Sequence, residues 1–386
     1  MEIGVPGKGM YGWRRYMMLA VSAMVAYAGG FAGNLNGARW IGVPGHDLPF
    51  YARYLPVFRL SFDFQPAAEG HVGIRYGVDD PRLMDSNLNI YNLKASPGES
   101  AIRLTVSSDG EIAIYRSGYH PDDDPGKPLA TFDGRAVLAE GNNHLELASN
   151  LGYTDVTLNG HRLGMVKLGS VGNGGDYLAF PVLADVGVEI GDGGGVIRNL
   201  RVNNYREPSA LLVHMEGPWT ASESIRLPER GMPQLRSSVR VDDGRKVRKA
   251  SVTSSARGIY DLVINGRRVT EGYFYPGSTQ YNRTHLYHTF DIAGYLKPGD
   301  NKIEVQLGEG WWSGPATFVG ENWNFFGDRQ SFAAKFEIEY EDGTTDVVVT
   351  EPDTWEYSVD GPVKTGSFFQ GEIYDATIQD LSLIHI

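Results

Sequence analysis

The chain has 386 residues, of which 41% are hydrophobic, so it is long enough for two domains with buried cores. Asp and Glu number 47 against 35 Lys and Arg, which gives a formal net charge of −12. An acidic chain binds nucleic acid and anionic lipid poorly, because it cannot displace the counterions around phosphate. The sequence has no cysteine, which excludes disulfides, thiolate nucleophiles and cysteine-based zinc sites.

The N-terminus has the order of a signal peptide. Arg14 and Arg15 precede an apolar run at residues 16–28, which ends in Ala-Tyr-Ala, the small-x-small form that signal peptidase recognises. The run is too short for a membrane span, and a buried N-terminal helix is the alternative. We therefore expect residues 1–28 to be a signal peptide. The mature protein would then be secreted or periplasmic, with no membrane span after cleavage.

Short strands and tight turns dominate the next part of the chain, and residues 38–207 are predicted to form a first domain. Every second residue from Phe58 to Phe64 is Phe or Leu, so these apolar side chains share one face of a strand. Asp155–Leu158 leads into Asn159-Gly160, a two-residue hairpin turn in which both positions accept positive φ. Strands joined by such turns favour a β-sandwich.

A linker and a second domain follow. Residues 208–234 are rich in Pro, Ser and Glu, which predicts a linker that lies across a surface. Residues 235–380 return to strand patterns and contain another hairpin turn, Asn265-Gly266, with a single helical turn around Asp291–Leu296. The local likeness of the two Asn-Gly turns indicates shared turn physics and not a sequence repeat. We expect an all-β chain with two consecutive antiparallel β-sandwich domains of jelly-roll or concanavalin-like type.

The most site-like stretch lies at residues 307–329, where glycines, tryptophans and polar residues are mixed. This mixture suits a pyranose ring, which has one C–H face for stacking and hydroxyls at its edge. The candidate sugar contacts are Trp312 and Trp323 as stacking faces, with Asn322 and Asp328 at the rim. The alternative is that these aromatic residues pack inside a sandwich corner.

Several motifs resemble those of the bacterial α-L-rhamnosidases, and they occur in that family's order. Residues 254–269, SSARGIYDLVINGRRV, resemble the family's A-R-G-x-Y-x-L-x-x-N-G-x-R-V strand pair. Residues 371–376, GEIYDA, resemble its closing motif. Residues 38–42 and 175–181 are similar to the laminin-G or concanavalin-like leader found in some of these enzymes. Together the matches cover nearly all of residues 38–380.

The resemblance implies a glycoside hydrolase that removes terminal L-rhamnose from plant polysaccharides or glycosides. It implies inverting catalysis in an (α/α)₆ barrel downstream, so no catalytic residue is assigned to this chain. The N-terminal β-domain would support that barrel and help to hold substrate. The implied partners are rhamnose-containing glycans and the protein's own downstream catalytic domain. Residues 381–386 match a translated sequencing adapter, which predicts a truncated gene, and a short apolar tail is the alternative.

The acidic residues do not form a pair suited to glycoside cleavage, which uses two carboxyl groups in set positions. Glu309, Glu321 and Asp328 lie in a Gly-rich region, where we expect open water to keep them ionised. The alternating acids of residues 337–341 are predicted to line the solvated face of an edge strand. The triplet at residues 122–124 could hold calcium, but a solvated turn is favoured, and no metal or other cofactor is expected.

Two functions stay open at this point. The first is the N-terminal portion of a secreted α-L-rhamnosidase. The alternative is a free-standing, secreted carbohydrate-binding β-protein without catalysis. A reading frame that continues beyond Asp380 favours the first, and a stop codon directly after Asp380 favours the second.

Overall fold

The computed structural model describes residues 35–66, 68–84, 96–120, 122–169, 180–315, 323–369 and 371–378. These residues form antiparallel sheets with short helical turns between strands, and they enclose two separate hydrophobic cores. The predicted all-β class with two antiparallel sandwiches is confirmed. Among the residues described, no helix is long and apolar enough to cross a membrane. The predicted signal peptide and residues 381–386 lie outside the described residues.

The first sandwich contains twelve of the described strands in two six-stranded sheets. Their bounds are β1 Val57–Gln65, β2 His71–Val78, β3 Ala101–Ser107, β4 Glu111–Ser117, β5 Ala130–Asp133, β6 Asn143–Asn150, β7 Tyr153–Leu158, β8 His161–Lys167, β9 Asp185–Ile190, β10 Val196–Asn203, β11 Leu211–Met215 and β12 Glu223–Ile225. One sheet has the order β11-β10-β1-β6-β7-β8, and the other has the order β12-β9-β2-β3-β4-β5.

Apolar alternation explains why β1 lies inside the first core. The Phe and Leu residues that alternate from Phe58 to Phe64 are at most 1% exposed. β1 pairs with β10 on one side and β6 on the other, so both of its edges are satisfied. The turn between β7 and β8 has φ of 50° at Asn159 and 79° at Gly160, as the predicted two-residue hairpin requires.

Residues 208–234, predicted to be a linker, contribute two strands to the first sandwich. β11 is the edge strand of one sheet and β12 is the edge strand of the other. Leu212, Val213 and Ile225 are buried in the first core. The strands have 5 and 3 residues, too short to show a periodic pattern between the flanking prolines. This segment is therefore structural and does not only cross a surface.

The second sandwich contains nine of the described strands, in sheets of five and four. Their bounds are β13 Gln234–Val241, β14 Val247–Arg257, β15 Ile259–Ile264, β16 Arg267–Arg268, β17 His288–Asp291, β18 Gly299–Gly308, β19 Ser331–Tyr340, β20 Thr345–Val349 and β21 Glu356–Ser358. The sheet orders are β16-β15-β18-β13-β21 and β17-β14-β19-β20. The predicted helical turn is a 3₁₀ turn at Ala293–Tyr295. A hairpin of β22 (Val363–Ser367) and β23 (Gly371–Tyr374) follows, and its contacts group it with the first sandwich.

Residues 38–42, which the sequence assigns to the first domain, belong with the second sandwich by their contacts. The N–H of Ile41 donates to the C=O of Phe332 at 2.9 Å, and the N–H of Phe332 donates to the C=O of Ile41 at 2.8 Å. Ile41 is 4% exposed and lies in the second core. A single bridging residue has no periodic pattern, so this return of the chain is not visible in the sequence.

β19 is an interior strand, so the prediction that residues 337–341 form an edge strand was wrong. It pairs with β14 on one side and with β20 on the other. The acids do alternate towards the outer face, where Glu337 lies 3.0 Å from Lys335 and Glu341 lies 2.6 Å from Lys246. Alternation reports the face on which a side chain lies and carries no information on neighbouring strands. Basic partners, and not an open edge, therefore accompany these acids.

Candidate carbohydrate-contact site

The loops at one part of the second sandwich bring together an aromatic cluster, which consists of Trp40, Tyr281, His285, Trp312 and Phe326. The ring of Tyr281 lies edge-on to Trp312 at 5.5 Å and to Phe326 at 5.1 Å between centroids. His285 contacts Trp40 edge-on at 5.2 Å and Tyr281 at 5.8 Å. Tyr281 is 3% exposed, and the other members are partly buried. The cluster therefore combines a buried centre with accessible ring edges.

Packing holds the predicted sugar contact Trp312 within this cluster. Its indole Nε1 donates a hydrogen bond to the C=O of Arg329 at 3.0 Å. Phe326 stacks on it at 6.4 Å between centroids, with an interplanar angle of 17°. Gly327 lies so close that a Cβ built on it would collide with the indole ring. The glycine thus serves close packing at this position, and Trp312 keeps only part of its surface accessible.

Arg257, the last residue of β14, lies against two tryptophans of the aromatic cluster. Its guanidinium carbon is 4.8 Å from the ring centroid of Trp40 and 5.3 Å from that of Trp312. Burial lowers the pKa of Arg257. Burial, together with the charge of Arg257, lowers the pKa of His285 to about 4. At neutral pH the cluster therefore holds one cation on aromatic faces and an uncharged imidazole.

Glu309 is half-buried with one carboxylate oxygen enclosed, so the prediction that open water surrounds its carboxyl was wrong. Its Oε2 has no exposed surface, and within the described chain it makes no hydrogen bond. Burial raises the pKa of its carboxyl to about 7. The turn after β18 folds back on the start of β15, and a Cβ on Gly310 would lie 2.7 Å from the side chain of Ile259. Glycine thus permits the close approach of the two segments at this turn.

The predicted sugar contacts are divided between the two units. Trp312 and Asp328 group with the second sandwich, whereas Trp323 groups with the first. Arg206 donates a hydrogen bond from Nη2 to the C=O of Trp323 at 3.3 Å. Asn322, like the acid Glu321, lies outside the described residues. The role of the four residues as sugar contacts stays a prediction.

More exposed aromatic faces lie in the loop between β16 and β17, which the sequence analysis did not single out. Tyr273 is 77% exposed and Phe274 is 53% exposed, with 6.1 Å between their centroids. The guanidinium carbon of Arg268 lies 5.2 Å from the ring centroid of Tyr273. Phe274 has φ of 63°, which is rare for an aromatic residue. Neither exposure nor this backbone conformation has a periodic signal in the sequence.

Asp123, the middle residue of the triplet for which a solvated turn was favoured over a calcium site, has protein partners. Asp123 accepts a hydrogen bond from Nε of Arg116 at 2.7 Å and from the backbone N–H groups of Tyr119 and His120 at 2.9 Å. It is almost fully buried, so this part of the triplet is not a solvated turn. Its oxygens organise the turn after β4.

Residues 245–382 match the family described as Alpha-L-rhamnosidase N-terminal domain. An α-L-rhamnosidase of Streptomyces avermitilis is 32% identical over 160 residues, which are 42% of this chain and 15% of that protein. One of Formosa agariphila is 29% identical over 135 residues, 34% of this chain and 14% of that protein. The crystal structure of the S. avermitilis α-L-rhamnosidase complexed with L-rhamnose aligns with 89% of this chain and 30% of that chain, at 19% identity and a TM-score of 0.39.

The chain thus spans 14–15% of the length of these curated relatives. The family match includes the Asn265-Gly266 strand pair and the GEIYDA motif, the two stretches that carried the resemblance in the sequence. The predicted resemblance to the α-L-rhamnosidases is confirmed for residues 245–382, which are similar to the N-terminal domain of that family.

Proposed function

We propose that this chain is the N-terminal, non-catalytic portion of a secreted α-L-rhamnosidase that removes terminal L-rhamnose from plant polysaccharides or glycosides. The observation that carries the proposal is the match of residues 245–382 to the rhamnosidase N-terminal domain. The relatives that share this region are named α-L-rhamnosidases and are several times longer than the matched part. The catalytic acid and base would lie in that further length.

In such a protein the two sandwiches would support the catalytic domain and contact the glycan. Support for a glycan contact comes from the exposed pair Tyr273 and Phe274 and from the partly accessible Trp312. Flat apolar faces beside hydrogen-bonding groups suit a pyranose. Arg268 lies beside Tyr273 and offers such a group.

Export is part of the proposal. It is supported by the two arginines at positions 14 and 15, the apolar run and the Ala-Tyr-Ala sequence that ends at Ala28. Cleavage after Ala28 would place Gly29 at the mature N-terminus. N-terminal sequencing of the exported protein tests this, and a protein that still begins at Met1 would contradict it.

The proposed function can be tested with an intact copy of the gene for this protein. We expect its reading frame to continue beyond Asp380, and its purified product to release p-nitrophenol from p-nitrophenyl α-L-rhamnopyranoside. The β-D-glucopyranoside of the same leaving group serves as the specificity control. A stop codon directly after Asp380, or a full-length protein that leaves the rhamnoside intact, would reject the proposal.

A further inference from the structure

The first sandwich contains a cavity of about 380 Å³, within the size range of small-ligand sites. It lies where β2, β9 and β12 run side by side, next to the 3₁₀ turn at Ala52–Tyr54. Three arginines and two aspartates contribute its charged groups. They are Arg53, Arg75, Arg226, Asp79 and Asp185.

A glycine in the middle of the sheet opens this cavity. Gly187 on β9 lies in register between Arg75 on β2 and Ser224 on β12. A Cβ built on Gly187 would lie 3.4 Å from Nη2 of Arg75 and 3.6 Å from its Nε. The guanidinium group therefore lies over the space that a side chain at position 187 would fill.

The aspartates of the cavity already have partners. Asp185 pairs with Arg53 at 3.7 Å, and Oδ1 of Asp79 accepts the backbone N–H of Gly98 at 2.6 Å. Arg75 is different, because its Nε has no exposed surface and no hydrogen-bond partner. These contacts leave the positive charge of Arg75 uncompensated.

Arg226 adds a positive charge that is exposed, whereas Arg75 is half-buried. Across the described ranges, neither arginine forms a hydrogen bond or an ion pair, although the chain as a whole carries a net charge of −12. Burying part of a cation without a partner is costly unless an anion joins it. The cavity is thus positively charged within an acidic protein.

We propose that this cavity binds the oxyanion of an acidic sugar, either a uronate carboxylate or a sulfate ester. A planar guanidinium forms two parallel hydrogen bonds with such a group. The Ser224 hydroxyl at the rim supplies a partner for a sugar hydroxyl. The inference rests on the proposed function and narrows its substrate to glycans in which acidic sugars accompany rhamnose.

Three sugars with the same ring but different groups at C6 test the inference by calorimetric titration of the purified chain. They are D-galactose, D-galacturonic acid and D-galactose 6-sulfate. We expect an acidic sugar to bind with a Kd on the order of 1 mM, more weakly as NaCl rises, and galactose to show no binding. Binding of galacturonic acid alone assigns the site to carboxylates, and binding of the sulfate ester alone assigns it to sulfated sugars.

Variants show whether binding occurs in this cavity. Arg75→Gln removes the unpaired charge and is expected to weaken binding about tenfold or more. Gly187→Val fills the space and is expected to abolish binding, whereas Arg162→Gln, on the other sheet, is expected to leave the Kd unchanged. Thermal unfolding of each variant establishes that it is folded. If Gly187→Val does not fold, the effect of Arg75→Gln on the Kd decides whether binding occurs in this cavity.

The inference is overturned if neither acidic sugar binds, if galactose binds equally well, or if Arg75→Gln leaves the Kd unchanged. Rhamnoside hydrolysis by the product of the intact gene is measured separately. Hydrolysis without binding of an acidic sugar rejects this site and leaves the proposed function standing. Binding of an acidic sugar without hydrolysis rejects the proposed function and leaves the site standing.

Discussion

The carboxyl of Glu309 takes up a proton when the chain folds. Burial raises its pKa from 4.5 to about 7, so between these pH values the folded protein keeps a proton that the unfolded chain has released. The contribution of this group to the free energy of unfolding therefore falls as pH rises from about 4.5 to about 7, and it is constant above that. Each pKa unit corresponds to about 1.4 kcal/mol, so the loss between pH 5 and pH 8 is on the order of 2 kcal/mol.

Glu309→Gln is therefore expected to raise the free energy of unfolding at pH 8 and to lack this fall. Urea unfolding at pH 5 and pH 8 measures both effects. The lowered pKa of His285 has the opposite effect, because the contribution of His285 to the free energy of unfolding rises with pH. Parent and variant both contain His285, so this effect cancels in the comparison. Glu337→Gln, which removes an outward-facing acid paired with Lys335, is the control. If the free energy of unfolding depends on pH equally in the parent and in Glu309→Gln, the carboxyl of Glu309 does not have a raised pKa in the folded protein.

The sugar-contact residues can be separated from packing residues by measuring binding and stability together. We expect L-rhamnose to bind weakly and Trp323→Ala to weaken that binding. Trp312→Ala should in addition lower the free energy of unfolding by about 3 kcal/mol, because Trp312 packs on Phe326 and donates to Arg329. Tyr153→Ala, which removes an exposed aromatic ring from the first sandwich, is the control for calorimetric titration. If the parent does not bind rhamnose at millimolar concentration, or if Trp323→Ala has an unchanged Kd, these tryptophans are packing residues and not sugar contacts.

At the scale of elements, one hydrogen-bond network occurs in both sandwiches. In the first, Nδ2 of Asn159, from the Asn-Gly turn, donates to Oδ1 of Asn143 at 2.8 Å. In the second, Nδ2 of Asn265 donates to Oδ1 of Asn301, also at 2.8 Å. Asn143 and Asn301 each bind backbone groups two and four residues earlier in the chain.

The chain order of this network differs between the sandwiches. The strand with Asn143 precedes its Asn-Gly turn, whereas the strand with Asn301 follows its turn. The sequence predicts the two turns, and their likeness indicates shared turn physics, which agrees with this reversed order. The two partner asparagines have no local signal in the sequence, because the contact joins positions 16 residues apart in one case and 36 in the other.

Asn143→Ala and Asn301→Ala are each expected to lower the free energy of unfolding by about 2–3 kcal/mol. Both side chains are at most 2% exposed, and their removal leaves buried backbone groups without partners. Chemical denaturation of the single variants measures the cost. Asn203→Ala, which removes one surface bond to the C=O of Pro208, is the control and should cost less than 1 kcal/mol. Equal costs in all three variants would show that the network adds nothing.

Local patterns in the sequence predicted much of the element structure, and what they missed is long-range. The alternation from Phe58 to Phe64 and the positive φ of Asn159-Gly160 follow from side-chain period and turn chemistry. The bridge of Ile41 to Phe332 and the cavity around Arg75 each join segments far apart in the chain. No local pattern records such contacts, so they required the structure.

At the scale of the whole molecule, the acidic groups of the described residues can be compared with those that glycoside cleavage needs. Inverting cleavage needs one carboxylic acid and one carboxylate roughly 6.5–9.5 Å apart, and the acid needs a raised pKa. Glu309 meets the requirement on pKa, but burial is the sole cause, and no neighbouring carboxylate contributes to it. The acids of β19 have basic partners on an outer face, Lys335 for Glu337 and Arg248 for Glu339. Among the described residues, Glu309 thus has the raised pKa that a catalytic acid needs, but no second carboxylate contributes to that shift.

We therefore expect residues 29–380, expressed alone, to leave a chromogenic α-L-rhamnoside intact even at high protein concentration. The measurement is p-nitrophenol release followed over hours, with the product of the intact gene as the positive control. Glu309→Gln serves as the matched variant, because it keeps the shape of the acid whose pKa is raised and removes its proton transfer. Trace activity that Glu309→Gln retains would belong to a contaminating enzyme. Turnover that survives purification and disappears in Glu309→Gln would instead place an active site in the second sandwich, with Glu309 as its acid.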